Sequence, residues 1–217
     1  MRFRIDRWWD YLQSGMIDGV VVTLQMWLLV SVVAIFFAIP VAAMRASRWV
    51  PIRLVATTYI EVFRATPLLV QLLAFYAGLP LLGIRLPPWP TAVLVIVLNS
   101  GSFLSEAYRA GFMAVPRSQR EAAKALGMGV WREQTRVVFP QAFRIIQPAV
   151  GTTLVSALLS VPFVYLVGVP ELMAWTTKVA SFQGDFSVYL LATILYILMA
   201  LTLSQGNAAL ERRLRIP

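Results

Sequence analysis

Four charged residues lie inside stretches of the chain that are otherwise apolar. Glu61 and Arg64 are three positions apart, and so are Glu106 and Arg109. Residues at this spacing share one face of a helix, so each acid can form a local ion pair with its base. Charges inside an apolar helix are costly, and they usually pair, line a cavity or reach toward the interface. The two pairs are therefore candidates for a structural cluster or gate, or for direct contact with a polar solute.

Uncharged polar residues accompany these pairs. Gln71, Asn99 and Ser102 lie deeper in the same apolar stretches, and Thr66 precedes Pro67, where a helix can kink. Such groups could hydrogen-bond a zwitterion that has left water, and they could equally join neighbouring helices. We predict that the solute path or gate comprises Glu61, Arg64, Thr66, Gln71, Asn99, Ser102, Glu106 and Arg109.

The composition leaves an enzyme little to work with. The chain has no His and no Cys, the commonest general base and the thiolate ligand. Only 13% of the 217 residues are charged, against about 25% in soluble domains, and 59% are hydrophobic. We therefore expect an integral membrane protein without a catalytic, metal or cofactor site of its own, and a membrane enzyme is the weaker alternative.

Five apolar stretches run through the chain, and each reaches the roughly 20 residues that cross a bilayer as a helix. They predict an all-α protein with five transmembrane helices. The predicted spans are residues 20–44, 55–82, 89–115, 146–169 and 186–210.

The distribution of basic residues predicts the orientation. Thirteen of the 19 Lys and Arg residues lie in segments 45–53, 109–144 and 211–217, which alternate with the spans. An excess of Lys and Arg marks cytoplasmic loops, so we expect the N-terminus outside and the C-terminus in the cytoplasm. This rule also accounts for the net charge of +9 without nucleic acid. Residues 1–18 mix Arg with aromatic residues, which favours a short interfacial helix over a disordered leader.

A charged segment, residues 116–145, separates the third and fourth spans. Ser118 and Glu121 have the spacing of a capping box, which predicts a helix start. Ala122 and Ala123 extend that helix with a small face, and Gly127 should end it in a left-handed cap. A second short helix, residues 130–139, should end at Pro140. The plain alternative is a polar helix lying on the membrane, with its Arg residues against anionic lipid.

The same segment resembles a known family. Glu121-Ala122-Ala123, then Gly127, then Pro140-Gln141-Ala142, look like the EAA signature of membrane permease subunits of bacterial ABC importers. EVFRATPLLVQL at 61–72, SEAYRAGFMAVP at 105–116, VGVPEL at 167–172 and LERRL at 210–214 are similar to the permeases of polar amino-acid uptake. The five motifs follow in order over most of the chain.

The resemblance implies a mechanism and partners. A coupling helix would sit in a groove of a cytoplasmic ATPase dimer, and an extracytoplasmic binding protein would deliver the solute across the bacterial inner membrane. ATP would bind to the separate ATPase, because this chain has no phosphate-binding Gly-x-x-x-x-Gly-Lys-Ser/Thr motif. A passive channel or scaffold is the alternative, and it gives no reason for the EAA segment. The implied coupling residues are Ser118, Glu121, Ala122, Ala123, Gly127 and Pro140.

One segment departs from the family pattern. Many relatives carry a Lys-Asp/Asn-Ser/Thr-Ser-Leu run where this chain has Leu159-Ser160-Val161-Pro162-Phe163. Those polar groups lie near the expected solute path of the family. Their loss implies a heterodimer in which a paralogous permease makes most of the solute contacts, and a homodimer with a less polar solute is the other option.

Overall fold

The computed structural model describes residues 4–214, and the regular structure in that range is helical. The helices are α1 (Trp8–Tyr11), α2 (Ile17–Arg45), α3 (Val50–Ala65), α4 (Leu68–Gly78), α5 (Pro88–Ala114), α6 (Arg117–Ala125), α7 (Val130–Glu133), α8 (Phe139–Ser160), α9 (Leu172–Gln183) and α10 (Ser187–Leu214).

Four helical stretches in this range, the first of them kinked at Gly15, are long and apolar enough to cross a membrane. They are Ile5–Arg45, Pro88–Ala114, Val130–Val167 and Ser187–Leu214. A fifth candidate is the pair Val50–Ala65 and Leu68–Leu82, which qualifies when its two halves are counted as one crossing. The all-α fold with five transmembrane segments is therefore confirmed.

The second predicted span, residues 55–82, is sharply bent at the position where a kink was expected. Its two helices meet at 111°. Thr66 and Pro67 are both extended, with ψ of 141° and 137°. The proline ring disfavours helical geometry at the preceding residue and supplies no amide hydrogen. The chain therefore leaves the helix at Thr66 and re-enters it in a new direction at Leu68.

The helix that contains the fourth predicted span begins well before that span. The short helix expected to end at Pro140 instead runs into α8, so that one helical stretch covers Val130–Val167. A π-helical segment, Gln134–Val138, precedes Pro140, which lies in the first turn of α8. Proline has no amide hydrogen to donate within a regular helix. The wider π turn lets the helix continue past Pro140 without that hydrogen bond. The prediction that Pro140 ends the helix was wrong for that reason.

A helix that the sequence did not predict, α9, lies between the fourth and fifth spans. The N-terminal segment packs against the connection between α9 and α10, and hydrogen bonds hold it there. The buried Tyr11 hydroxyl donates to Asp185 Oδ2 at 2.8 Å, and Trp8 Nε1 donates to Ser187 Oγ at 3.2 Å. The N-terminal segment is helical, as expected, but one face of it is buried against protein. Residues 1–3 of the predicted interfacial segment lie outside the described range.

Small residues set the distances between the long helices. A Cβ at Gly101 of α5 would overlap the ring of Phe37 on α2, and one at Gly151 of α8 would overlap the amide of Asn207 on α10. Helices in lipid associate through such close contacts because apolar surface gains little by leaving lipid. The resulting bundle places the break at Thr66 beside α5.

Candidate functional sites at the broken helix and the 116–145 segment

The buried Gln71 side chain closes the break between α3 and α4. Its amide nitrogen donates to the Phe63 carbonyl at 2.8 Å, the Thr66 carbonyl at 3.0 Å and the Thr66 hydroxyl at 2.7 Å. The last carbonyls of a helix have no partner within the helix. Gln71, in the first turns of α4, therefore supplies hydrogen bonds to the free carbonyls at the end of α3.

Asn99 on α5 joins the same group of atoms. Its amide nitrogen donates to the Phe63 carbonyl at 3.2 Å and to Gln71 Oε1 at 3.1 Å. One turn further on, the fully buried Ser102 donates to the Asn99 carbonyl at 2.6 Å. The structure therefore brings Thr66, Gln71, Asn99 and Ser102 together as one hydrogen-bonded cluster, which we call the break cluster. Their place in a solute path stays a prediction.

Glu106 and Arg109 form the local ion pair that their spacing predicts. Arg109 Nε donates to Glu106 Oε1 at 2.9 Å. The second carboxylate oxygen, Oε2, is buried without a hydrogen bond, and so is Nε of Arg45 at the end of α2. Arg45 and Arg64 both act electrostatically on Glu106. Charges from three helices therefore converge at this end of the bundle.

Glu61 and Arg64 behave differently from the second pair. Within residues 4–214 no ion pair joins them, and both are exposed. The Arg64 guanidinium instead lies over the Phe103 ring of α5, with Cζ 5.4 Å from the ring centre. A cation over an aromatic face is attracted by the ring quadrupole. Of the two ion pairs predicted within the spans, the structure therefore forms only Glu106–Arg109.

The capping box predicted at Ser118 does not form. Helix α6 begins at Arg117 with Pro116 as its N-cap, and no side chain caps it. Extended ψ at Pro116, 138°, starts the helix two residues earlier than a cap at Ser118 would, so the Ser118 hydroxyl is already inside the first turn. Glu121 instead accepts from Arg117 Nε at 3.1 Å, and both side chains are largely exposed.

The left-handed cap at Gly127 is confirmed. Gly127 has a φ of 72°, a region that costs glycine little. Its amide donates to the Lys124 carbonyl at 2.9 Å, and the Met128 amide donates to the Ala123 carbonyl at 3.1 Å. This pair of bonds is the Schellman arrangement that terminates a helix. Gly127 therefore fixes the direction in which the chain leaves α6.

The two alanines after Glu121 face opposite ways. Ala123 is buried, 3% exposed, whereas Ala122 is exposed. Beyond the cap the chain presents apolar side chains to the surroundings, with Leu126 77%, Val130 73% and Trp131 79% exposed. Apolar exposure outside the predicted spans is typical of a protein contact surface. We call these three residues together with exposed α6 the loop surface.

Sequence reasoning missed the role of Glu171 within the VGVPEL motif. Its side chain is fully buried, and it caps α9 by accepting from the Ala174 amide at 2.8 Å. Its other oxygen accepts from the Tyr196 hydroxyl at 2.6 Å. Thr23 of α2 accepts from the Leu172 amide at 3.3 Å. Helices α2, α9 and α10 therefore meet at this point. The only local sequence signal for the cap was an acidic residue before an apolar run.

Burial raises the pKa of the Glu171 carboxyl, which lies between the fourth and fifth spans. Hydrogen bonds from the Met173 and Ala174 amides and from Tyr196 oppose that shift without cancelling it. The folded protein therefore favours the protonated form of Glu171 relative to the unfolded chain.

Residues 31–216 match the family of binding-protein-dependent transport system inner membrane components. The chain belongs to this family. The match covers most of the bundle, from the middle of α2 onward, and includes the break cluster and the loop surface. The chain is therefore a permease subunit of an ABC importer and a multi-pass membrane protein, and importers of this kind include an ATPase and a solute-binding protein.

Relatives of the permease cover nearly its whole length. It is 31% identical to the L-cystine transport system permease TcyB of Bacillus subtilis, over 95% of this chain and 91% of that one. It is 30% identical to the arginine transport system permease ArtQ of the same organism, over 92% of each chain.

Among solved structures, a chain of an amino acid ABC transporter crystallised with histidines is 35% identical to it. That chain superimposes with a TM-score of 0.87, over 93% of this chain and 94% of the other. An inward-facing MetNI methionine ABC transporter, 15% identical with a TM-score of 0.79, shares the fold over 94% of this chain and 98% of that one.

Removing the Gln71 amide tests the break cluster. Gln71→Leu keeps the bulk and leaves the carbonyls of Phe63 and Thr66 with fewer donors, at about 1–3 kcal/mol for an unsatisfied buried group. We expect a lower melting temperature in detergent for the permease. Gln205→Leu is the matched control, because Gln205 is exposed on α10. An unchanged melting temperature, with only a higher solute concentration needed to stimulate ATP hydrolysis, would assign Gln71 to solute contact instead.

The pH dependence of stability tests Glu171. Because its folded pKa is raised, the Glu171 contribution is fully present below the usual pKa of a carboxyl, about 4.3, and declines as pH rises above it. Glu171→Gln carries no such charge. We expect the melting temperature of wild type to fall relative to that of Glu171→Gln as pH rises above about 4.3. The exposed Glu121→Gln should keep the wild-type slope, and equal slopes for all three proteins would contradict the assignment.

Proposed function

We propose that this chain is one permease half of an ATP-driven importer that moves a polar amino acid or a similar small solute. The observation that carries the proposal is near full-length similarity to permeases named for arginine and cystine, and to a structure crystallised with histidines. ATP binds to the separate ATPase, and this chain contributes no cofactor. A channel or scaffold leaves the exposed, capped α6 without a purpose.

The loop surface is the proposed contact with the ATPase. Helix α6 is short, exposed along most of its length and ended by a defined cap at Gly127. The apolar side chains of Leu126, Val130 and Trp131 extend the surface beyond the helix. A groove in a cytoplasmic ATPase would bury these side chains, while the buried Ala123 anchors α6 to the permease. Movement of the ATPase would then be transmitted to α5 and α8, which flank the segment.

The proposed orientation places this surface in the cytoplasm and the N-terminus outside. Ala46 after α2, Pro116 before α6 and Leu210 near the end of α10 line one cavity, so the three Arg-rich segments lie at the same end of the bundle. This grouping supports the assignment of that end to the cytoplasmic side.

The proposed partner half is a paralogous permease. In the Leu159–Phe163 run, Leu159 is 50% and Phe163 40% exposed, so the surface is apolar where relatives carry polar groups. The Ser160 hydroxyl donates to the Ser156 carbonyl at 2.8 Å. A zwitterion needs hydrogen-bonded partners when it leaves water, and a second, more polar permease would supply them.

The cap at Gly127 allows a sharp test of ATPase coupling. A Cβ there meets no atom within 4 Å, so a substitution acts through backbone conformation alone. Gly127→Val places a β-branched residue at positive φ, whereas Gly127→Asn tolerates that conformation. We expect valine to abolish co-purification of the ATPase and solute-stimulated ATP hydrolysis, and asparagine to retain both. Wild-type coupling by the valine variant at an equal melting temperature would contradict the proposal.

A reconstitution test addresses the partner half. The chain is purified with the ATPase alone, and ATP hydrolysis is measured with binding protein and a polar amino acid. We expect little solute-stimulated hydrolysis until a paralogous permease is co-expressed. Full stimulation of the complex that contains only this permease would establish a homodimer and place the solute contacts in this chain.

A further inference from the structure

A long cavity lies between α2, α5, α8 and α10 at the end of the bundle that carries α6. Its volume is about 1410 Å³, above the roughly 300–1,000 Å³ of small-molecule sites. Along α8 it runs from Phe139 to Leu154, fifteen residues, or about 22 Å at the helical rise. One leaflet of a bilayer has about 15 Å of hydrocarbon. The cavity is therefore as long as one leaflet plus a headgroup.

The lining of the cavity is amphiphilic. Ile35 and Ile39 on α2 and Val150 and Leu154 on α8 line its deeper part. The end nearest α6 is lined by four basic side chains and, among residues 4–214, by no carboxylate. These are Arg45, Arg109, Arg117 and Arg120.

Two of these arginines make no ion pair among residues 4–214, although Glu106 is near enough to Arg45 to act on it electrostatically. Glu106 pairs with Arg109 and Glu121 with Arg117, and within residues 4–214 no carboxylate lies within ion-pair distance of Arg45 or Arg120. Arg120 Nη2 donates to the Phe112 carbonyl at 2.9 Å, and Arg45 bonds the Thr57 hydroxyl. Nε of Arg45 is buried with no acceptor. A buried cationic donor without a partner is costly unless an anion approaches it.

We propose that this cavity binds one anionic phospholipid, with its phosphate between Arg45 and Arg120 and its acyl chains along α2 and α8. Charge and length both match an amphiphile. Cations lie at one end, and the lining beyond them is mainly apolar for the depth of a leaflet, with the Gln147 amide bonded to that of Asn207. The site is independent of the transported solute. Because Arg120 belongs to α6, the bound lipid would also fix the position of the loop surface.

The experiment uses the delipidated permease–ATPase complex in detergent. Native mass spectrometry and thermal unfolding compare phosphatidylglycerol with phosphatidylcholine of the same acyl chains, and inorganic phosphate serves as a headgroup-only probe. We expect one retained phosphatidylglycerol per chain, a preference over phosphatidylcholine of about tenfold or more, and no stabilisation by phosphate alone. Equal retention of the two lipids, or stabilisation by phosphate alone, would overturn the proposal.

Variants separate the headgroup contact from the acyl contact. Arg45→Gln with Arg120→Gln should remove the preference for phosphatidylglycerol, whereas Arg48→Gln with Arg53→Gln, the same charge change on exposed residues outside the cavity, should keep it. Ile39→Trp fills the cavity without touching an arginine and should lower the retention of both lipids. An equal loss in the control pair would attribute the preference to net charge and overturn the site.

A photo-crosslinker at position 39 identifies what covers the cavity in the intact complex. We expect adducts with lipid acyl chains. Crosslinks to a second permease subunit in their place would show that a protein helix fills the cavity, and they would contradict the proposal.

Discussion

Backbone hydrogen bonding in a medium without water is the constraint on which this structure depends. A helix that crosses lipid satisfies its own amides and carbonyls, and any break exposes groups that nothing outside the protein can pair. The break at Thr66 and Pro67 is possible because Gln71 and Asn99 donate to the Phe63 and Thr66 carbonyls. Side chains from α4 and α5 therefore pair the carbonyls at the break, although Thr66 and Pro67 themselves are exposed. Pro67 imposes the 111° bend, and the same bonds join the bent pair to α5.

Buried polar groups define both ends of the bundle in a similar way. Glu171 caps α9 and receives the Tyr196 hydroxyl, so one carboxyl group ties α9 to α10. At the opposite end, Glu106 and Arg109 pair while Arg45 and Arg64 approach from α2 and α3. Charges that are paired or capped can be kept in a low dielectric. Between these ends, close contacts through small residues such as Gly101 and Gly151 hold the helices together.

Local hydrogen bonds at Gly127 and the packing of Ala123 together determine how the loop surface is presented. The Schellman bonds at Gly127 fix how α6 ends, and the burial of Ala123 fixes which face of α6 points away. The π-helical turn before Pro140 then continues directly into α8. A force applied at Trp131 would therefore reach a membrane-spanning helix without a flexible linker. The proposed coupling would use that helical connection to reach the bundle.

Local sequence features determined the spans, the cap at Gly127 and the Glu106–Arg109 pair, because apolar length, a residue tolerant of positive φ and a three-residue spacing act within one helix. Only the tertiary structure decided the partners of Gln71 and Asn99 and the burial of Glu171. It also decided that Ala123 is buried while Ala122 is exposed. The bond from Leu172 to Thr23 joins residues 149 positions apart, and no local pattern encodes such a distance. Ser118 and Pro140 failed as boundary signals because the geometry of Pro116 and a π turn override local propensity. The sequence alone thus determines which segments cross the membrane, whereas packing decides which polar groups are left to hold the bundle together.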